Sequence, residues 1–317
     1  MPFVHEANGP ASHPAFLNFQ RSGYAGCAPD RIERIETLLG SSDVYLLEGL
    51  EVPGSRVVAK RSAGERIRVE HFVYTSLLPH HPLSQVACLG FVEELDQDSC
   101  WLFLEFADGN SYDETSQKQR ELAAKWLATL HSSTSQLPQR PPVPDAGPDR
   151  YLALLRKAGD SIGSNLSNPH LTVPAARFLE IVLDRLDRFE KTWTRVQSLC
   201  SAIPNCVVHG DFHAKNVRIR DGQVLVFDWE AAGWGPPTEE LAGLGCHEYS
   251  SALGGAWPAM DPATIRLATS MGVLFRGVAF IQAESAALGS RWTVDAVEAI
   301  AGHERDLVVA ERELGLS

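Results

Sequence analysis

The apolar periodicity of this 317-residue chain changes once, near residue 106, and that change restricts the fold more than any other feature. Before it, short runs alternate apolar and polar residues, the mark of half-buried strands. RIERIETLLG from Arg31, then DVYLLEGL and RVVAKR, are separated by turns at Gly40-Ser41-Ser42 and Pro53-Gly54 and predict a three-strand meander. A helix over Glu65–Leu78 follows, stopped by Pro79. Two more strands, SQVACLGFVEEL and CWLFLEFA, flank the polar turn Asp96-Gln97-Asp98-Ser99. After Phe106 the linker ADGNSYDET leads into segments with helical spacing: ETSQKQRELAAKWLATLH, RYLALLRKAG and the long VPAARFLEIVLDRLDRFEKTWTRVQSL, which predicts one amphipathic helix. Short strands recur at CVVH, VRIR and VLVFD, and helices resume from about Glu239. A small antiparallel sheet carrying one helix, then a mainly helical half, is an α+β arrangement. The expected divisions are an irregular leader over 1–30, a sheet lobe over 31–106 and a helical lobe over 107–317.

Composition removes several classes. Hydrophobic residues at 44% and charged residues at 21% describe a globular chain, not a disordered one. A net charge of −12 argues against a broad nucleic-acid face and suits a cationic partner. Six scattered cysteines without a Cys-x-x-Cys pair are expected to be reduced thiols in a cytoplasmic protein. The start, MPFVHEANGPASHPAF, lacks a basic region followed by an apolar run, so no signal peptide is expected. No membrane helix is expected either.

The chemistry concentrates in VVHGDFHAKNVRIRDGQVLVFDWEAAGWGPP. An apolar strand ends in His-Gly-Asp, Asn216 stands five residues after Asp211, and a hairpin about Asp221-Gly222 leads to Asp228 at the end of another apolar strand. A carboxylate to receive a hydroxyl proton, with amide and carboxylate oxygens to hold magnesium, is what phosphoryl transfer asks of a protein. His209 and His213, with Cys206 nearby, also have to be weighed as zinc ligands. A histidine pair for zinc usually lies on one helix face, so His209 is expected to anchor the loop and His213 to lie near the transferred phosphate. Lys215 is a candidate to neutralise phosphate. No Gly-x-x-x-x-Gly-Lys-Ser/Thr loop and no Gly-x-Ser-x-Gly elbow occurs, which disfavours P-loop and serine-hydrolase chemistry.

His-Gly-Asp-x-x-x-x-Asn followed by VFDWEAAGWG resembles the catalytic and metal-binding loops of the aminoglycoside phosphotransferase and choline kinase-like family, which has a bilobal protein-kinase-like fold. The resemblance covers nearly the whole chain after about residue 30. It implies that Asp211 is the catalytic base, that Asn216 and Asp228 hold Mg2+, and that ATP or GTP is the donor. It also implies a phosphate-bracing lysine, matched by Lys60 at the end of VVAK, and a glutamate partner for it on the next helix. Glu70 is the first choice for that partner and Glu65 the competitor. Gly40, Ser41 and Ser42 stand where the phosphate loop is expected, in place of the protein-kinase Gly-x-Gly-x-x-Gly. The main chain of Glu105, Phe106 and Ala107 would meet the adenine edge. Glu230 is a candidate further metal ligand, and Glu240 in TEELAGL stands where the family usually has Asp.

Three functions are compatible with these residues. The first is an O-phosphotransferase acting on an aminoglycoside or another antibiotic, hence a resistance enzyme. The second is a metabolic kinase for choline, an amino alcohol, a sugar or homoserine. The third is a catalytically inactive nucleotide-binding module, which normally lacks one of Lys60, Asp211, Asn216 or Asp228. A protein kinase is disfavoured because no Ala-Pro-Glu and no long activation segment follows Asp228. A hydroxyl-bearing small molecule is the expected partner, with neither nucleic acid nor membrane, and a monomer or homodimer the expected state.

Overall fold

The computed structural model describes residues 3–4, 9–35, 42–52, 55–94, 98–290 and 293–316. In chain order these form β1 (Phe3–Val4), α1 (Pro14–Arg21), β2 (Arg31–Ile35), β3 (Asp43–Glu48), β4 (Arg56–Ala63), α2 (Gly64–Phe72), β5 (Cys88–Glu94), β6 (Ser99–Glu105) and β7 (Asn110–Ser111). There follow α3 (Gln117–Thr134), α4 (Pro148–Asn165), α5 (Val173–Lys191), α6 (Trp193–Cys200), β8 (Cys206–Val208), β9 (Val217–Arg220) and β10 (Gln223–Val226). The last elements are β11 (Gly233–Gly235), α7 (Thr238–Leu244), α8 (Cys246–Leu253), α9 (Pro262–Ser285) and α10 (Thr293–Glu313). Two compact units result: Met1–Leu122 with Asp211–Ala232, and Ala123–Gly210 with Gly233–Ser317.

The first unit is built on an antiparallel sheet ordered β1-β2-β3-β4-β6-β5. The period of two in β4 sends Val57 and Ala59 to one face and Lys60 to the other. On the first face α1 lies across the sheet. Its Ala15, Phe16 and Phe19 join Leu47, Val57, Ala59, Trp101 and Phe103 in one apolar core. Residues 1–30, expected to be irregular, therefore include a packed helix. His13 caps it, accepting the Ala15 N–H at 3.1 Å, and Pro14 occupies the first helical position. Gly90 on β5 admits the end of this helix, because a Cβ there would lie 2.2 Å from Ser22 Oγ. The helix expected over Glu65–Leu78 is α-helical only to Phe72 and continues as a π-helical turn over Val73–Leu77. The segment 211–232 joins this unit through a second sheet, β10-β9-β7. It is held further by Ser84 Oγ donating to Val224 O at 2.6 Å and by Arg220 on Glu105 at 2.9 Å.

The second unit is mainly helical, with the pair β8–β11 inserted. The helix expected from Val173 to Leu199 divides at Thr192, whose hydroxyl returns to the Arg188 carbonyl at 3.1 Å and loosens the helical bonding. Helix α9 is its centre: Ile265, Met271, Leu274, Phe275, Val278 and Ile281 are buried. With the residues after it, α9 is long and apolar enough to cross a membrane, contrary to the expectation, but half of that apolar stretch is buried within the protein. Gly272 lets α7 cross α9 closely, since a Cβ there would fall 1.9 Å from the Thr238 carbonyl.

The apolar docking of α1 yields a paired expectation. Phe19→Ala should lower stability to urea by about 3–5 kcal/mol, the usual cost of emptying a buried aromatic site. Leu17→Ala, on the exposed side of the same helix, should change it by no more than about 0.5 kcal/mol. Equal effects would mean that α1 does not pack as described.

Candidate active site

The first unit gathers most of the chemistry-bearing side chains. Lys60, on a central strand, is 7% exposed, and its ammonium meets three carboxylates. Glu70 Oε2 lies 2.9 Å away, Asp228 Oδ1 is in direct contact, and Glu230 Oε2 is at 3.3 Å. Glu230 Oε2 makes no hydrogen bond of full geometry, so its attraction to Lys60 is chiefly coulombic. Glu70 is fully buried on α2, whereas Glu65 is exposed, which settles the choice between them in favour of Glu70. Burial alone would push the Lys60 pKa down. The charges of Glu70, Asp228 and Glu230 outweigh it and hold the ammonium well above the usual lysine range. Burial pushes the Glu70 carboxyl upward, and Lys60 opposes that shift.

Glu70 also ties the lysine to the loop that bears Asp228, because its Oε1 accepts the Trp229 N–H at 3.3 Å. Trp229 is completely buried, as a residue packing under the loop should be. Asp228 is left-handed, with φ 69° and ψ 58°, a conformation that costs a non-glycine residue about 1 kcal/mol or more. The Phe227 N–H donates to the Asn216 carbonyl at 3.1 Å, so the residue before Asp228 is bound to the loop after Asp211.

That loop is internally braced. Asn216, 4% exposed, donates from Nδ2 to Asp211 Oδ2 at 2.9 Å and to the Asp211 carbonyl at 3.0 Å. Lys215 Nζ lies 2.8 Å from Asp211 Oδ2 and His213 Nε2 lies 3.4 Å from Oδ1, so cationic or potentially cationic groups stand at both oxygens. With its amide hydrogens committed, Asn216 keeps Oδ1 as a hard donor. Asn216, Asp228 and Glu230 form a set of carboxylate and amide oxygens, the chemistry that suits magnesium. Among the described residues no three His, Cys, Asp or Glu converge as a zinc site would require, and His213 is partnered by Asp211.

At the end of β6, Glu105 is engaged by Arg220 through Oε1 and by the Ala87 N–H through Oε2 at 3.3 Å, leaving its side chain committed. The Phe106 ring lies 4.2 Å beneath the Arg56 guanidinium, and Ala107 is half-buried. Ser42, the residue before β3, is half-buried; Gly40 and Ser41 fall outside the described residues.

In the second unit, Glu240 is buried on α7 and holds the two residues that precede Asp211. Its Oε1 accepts the N–H groups of His209 and Gly210, the latter at 3.3 Å. Its Oε2 meets His131 Nε2 at 2.6 Å, and His131 Nδ1 meets the Tyr249 hydroxyl at 2.9 Å. His209 is completely buried. Sequence reading found Glu240 but not the His131–Tyr249 pair behind it, since nothing local relates residues 109 positions apart.

A small antiparallel sheet with a buried Lys–Glu pair and a His-Gly-Asp loop reaching a partner Asp defines a kinase-like phosphotransferase. The chain belongs to the phosphotransferase enzyme family (APH), whose model matches residues 35–266, and it is a small-molecule kinase. Among solved structures it is similar to choline kinase from Cryptosporidium parvum Iowa II, with 11% identity and a TM-score of 0.64 over 90% of this chain and 91% of that one. It is similar to the GDP complex of wild-type aminoglycoside 2'-phosphotransferase-IIIa, with 13% identity and a TM-score of 0.64 over 92% and 98%. It is also similar to Plasmodium vivax ethanolamine kinase, with 13% identity and a TM-score of 0.54 over 89% and 82%. No curated protein matches it by sequence.

Glu240 supplies a pH-dependent expectation. Burial would raise its pKa, but His131 and the His209 N–H overcome that and hold it below the ordinary value of 4.5. A depressed carboxyl stabilises the fold above its unfolded value and loses that contribution as pH falls through the folded one. Stability of Glu240→Gln, followed by acid titration below pH 4.5, should therefore fall less steeply than that of wild type. An identical slope would contradict the role assigned to this carboxylate.

Proposed function

We propose that this enzyme moves the γ-phosphoryl group of ATP, or GTP, to a hydroxyl of a small amine-bearing molecule, first of all an aminoglycoside or another antibiotic. The observation that carries the reading is the joining, within one unit, of the Lys60–Glu70–Asp228 cluster to the Asp211–Asn216 loop through Phe227. Asp211 would orient the acceptor hydroxyl and take its proton. Lys60, fixed by Glu70, would brace the donor phosphates, with Gly40, Ser41 and Ser42 as their expected cradle and the main chain at Glu105–Ala107 along the base. Asn216 and Asp228, with Glu230 beside them, would hold Mg2+, which supplies neutralising charge as the phosphoryl group moves. Lys215 and His213 would steady Asp211, and Glu240 would hold His209 and Gly210 so that Asp211 is presented in one position.

A net charge of −12 supports a cationic acceptor but does not separate two of them. One similar structure is a GDP and kanamycin complex of an aminoglycoside phosphotransferase, and another is amicoumacin kinase with AMP-PNP and Ca2+. Choline kinase is as similar in fold as the aminoglycoside enzymes, which favours a metabolic amino alcohol as the second reading. The six unpaired thiols are compatible with a cytoplasmic location, in a monomer or homodimer without nucleic-acid or membrane partners.

Magnesium-dependent ADP release should be measured against aminoglycosides, other antibiotics, choline, ethanolamine, homoserine and simple sugars. One acceptor should give turnover, and Asp211→Ala should lose roughly 10²–10⁴-fold in rate with it, the scale of general-base catalysis. Turnover equally fast in Asp211→Ala would overturn the assignment of the base. A flat panel with intact nucleotide binding would favour an inactive nucleotide-binding module.

A further inference from the structure

Strand β9 has a candidate ligand-binding segment at each end. Asn216 immediately precedes Val217, the first residue of the strand. Arg218 donates from Nη1 to the carbonyls of Ala214 and Lys215 at 3.3 and 3.2 Å, so this end of β9 holds the turn that bears Asn216. The period of two puts Arg218 and Arg220 on one face of the strand. Arg220 closes the far end, donating from Nη1 to Oε1 of Glu105, the last residue of β6, at 2.9 Å.

The chain that leaves β6 returns to the same strand. At Gly109, with φ 128°, it passes so close that a Cβ would fall 2.7 Å from the Ile219 carbonyl. Asn110 and Ser111 then pair with Ile219 and Arg218, and the Tyr112 N–H donates to the Val217 carbonyl at 3.3 Å. Residues 105–112 are thus fastened to β9 twice, by an ion pair at Glu105 and by main chain from Asn110 onward. Between the fastenings lie Phe106, Ala107 and Asp108. The main chain of Ala107 makes no hydrogen bond among the described residues. Uncommitted main-chain groups in a short bridge held at both ends suit recognition of the edge of a flat base. Glu105 is a joint in this frame, since its N–H donates to the Ala87 carbonyl at 2.9 Å and its Oε2 accepts the Ala87 N–H at 3.3 Å.

We propose that Arg220 is a positioning residue: by holding Glu105 it fixes the span between the main chain at Phe106–Ala107, which would meet the base, and the turn bearing Asn216, which would hold the metal. The proposal rests on the reading that a nucleotide with magnesium is the phosphoryl donor. Arg220 touches no reacting atom and acts through Glu105. A whole nucleotide reaches both places, so its affinity depends on their separation; a ligand that reaches only one of them is indifferent to it.

The test measures AMP-PNP binding to the full chain by calorimetry with magnesium present, and tripolyphosphate, which has no base, as its competitor. Wild type is compared with Arg220→Met, Arg220→Lys and the double variant Arg220→Met with Glu105→Gln. Arg220→Met should weaken AMP-PNP roughly two- to fivefold, the scale of a partly exposed ion pair, and leave tripolyphosphate at its wild-type affinity. Arg220→Lys, which keeps the charge, should recover part of the loss. The double variant should bind AMP-PNP no more weakly than Arg220→Met alone, because both changes break one interaction. Unchanged AMP-PNP affinity in Arg220→Met would overturn the proposal. Equal weakening of both ligands would overturn it too, since direct attraction of phosphate or a general loss of packing acts on both alike. Absence of magnesium-dependent AMP-PNP binding in wild type would instead sink the functional reading, and the proposal with it.

Discussion

An ammonium group buried on a central strand is costly unless carboxylates surround it, and that requirement organises the first unit. Lys60 obtains its three partners from two places in the sequence: Glu70 on α2, and Asp228 and Glu230 beyond β10. Glu70 is the fully buried partner, whereas Asp228 and Glu230 are partly exposed, so the loss of Glu70 would leave Lys60 the least well paired. The burial of Lys60 thus couples the sheet to α2 and to the segment 211–232. Three carboxylates around one ammonium leave an excess of negative charge, which fits the proposal that a divalent cation accompanies the donor phosphates.

The second unit meets a different requirement, holding the backbone that leads into Asp211. Glu240 has one methylene more than the aspartate usual in the family. It nonetheless accepts both N–H groups of His209 and Gly210 while its other oxygen meets His131. Tyr249 stands behind His131, so the carboxylate is fixed by a buried chain of polar groups and not by solvent. The close crossing of α7 over α9 at Gly272 sets where that carboxylate stands.

The strands β2 to β6 and the candidate residues Lys60, Asp211, Asn216 and Asp228 could be picked out because each has a local signal: alternation in β4, the five-residue interval from Asp211 to Asn216, and an apolar strand running into Asp228; the edge position of β1 and the place of β6 between β4 and β5 carry no such signal. Helix α1 was not legible, since eight residues with three apolar contacts carry too little period to separate them from a loop. The break at Thr192 was hidden by apolar residues that keep helical spacing on both sides of it. Membership of 211–232 in the first unit, and the pairing of Glu240 with His131, depend on contacts distant in sequence. The choice of Glu70 over Glu65 needed burial, because both are acids on one helix at plausible spacing.

The central claim is that the Lys60 cluster receives a nucleotide together with a divalent cation, and calorimetry tests it most directly. AMP-PNP should be titrated into wild type and Asp228→Asn, each with and without magnesium. The account predicts tight binding by wild type only with magnesium, and loss of most of that metal dependence in the isosteric Asp228→Asn, which removes one carboxylate charge. Binding that is equally tight with and without magnesium in wild type, or an unchanged metal dependence in Asp228→Asn, would contradict it.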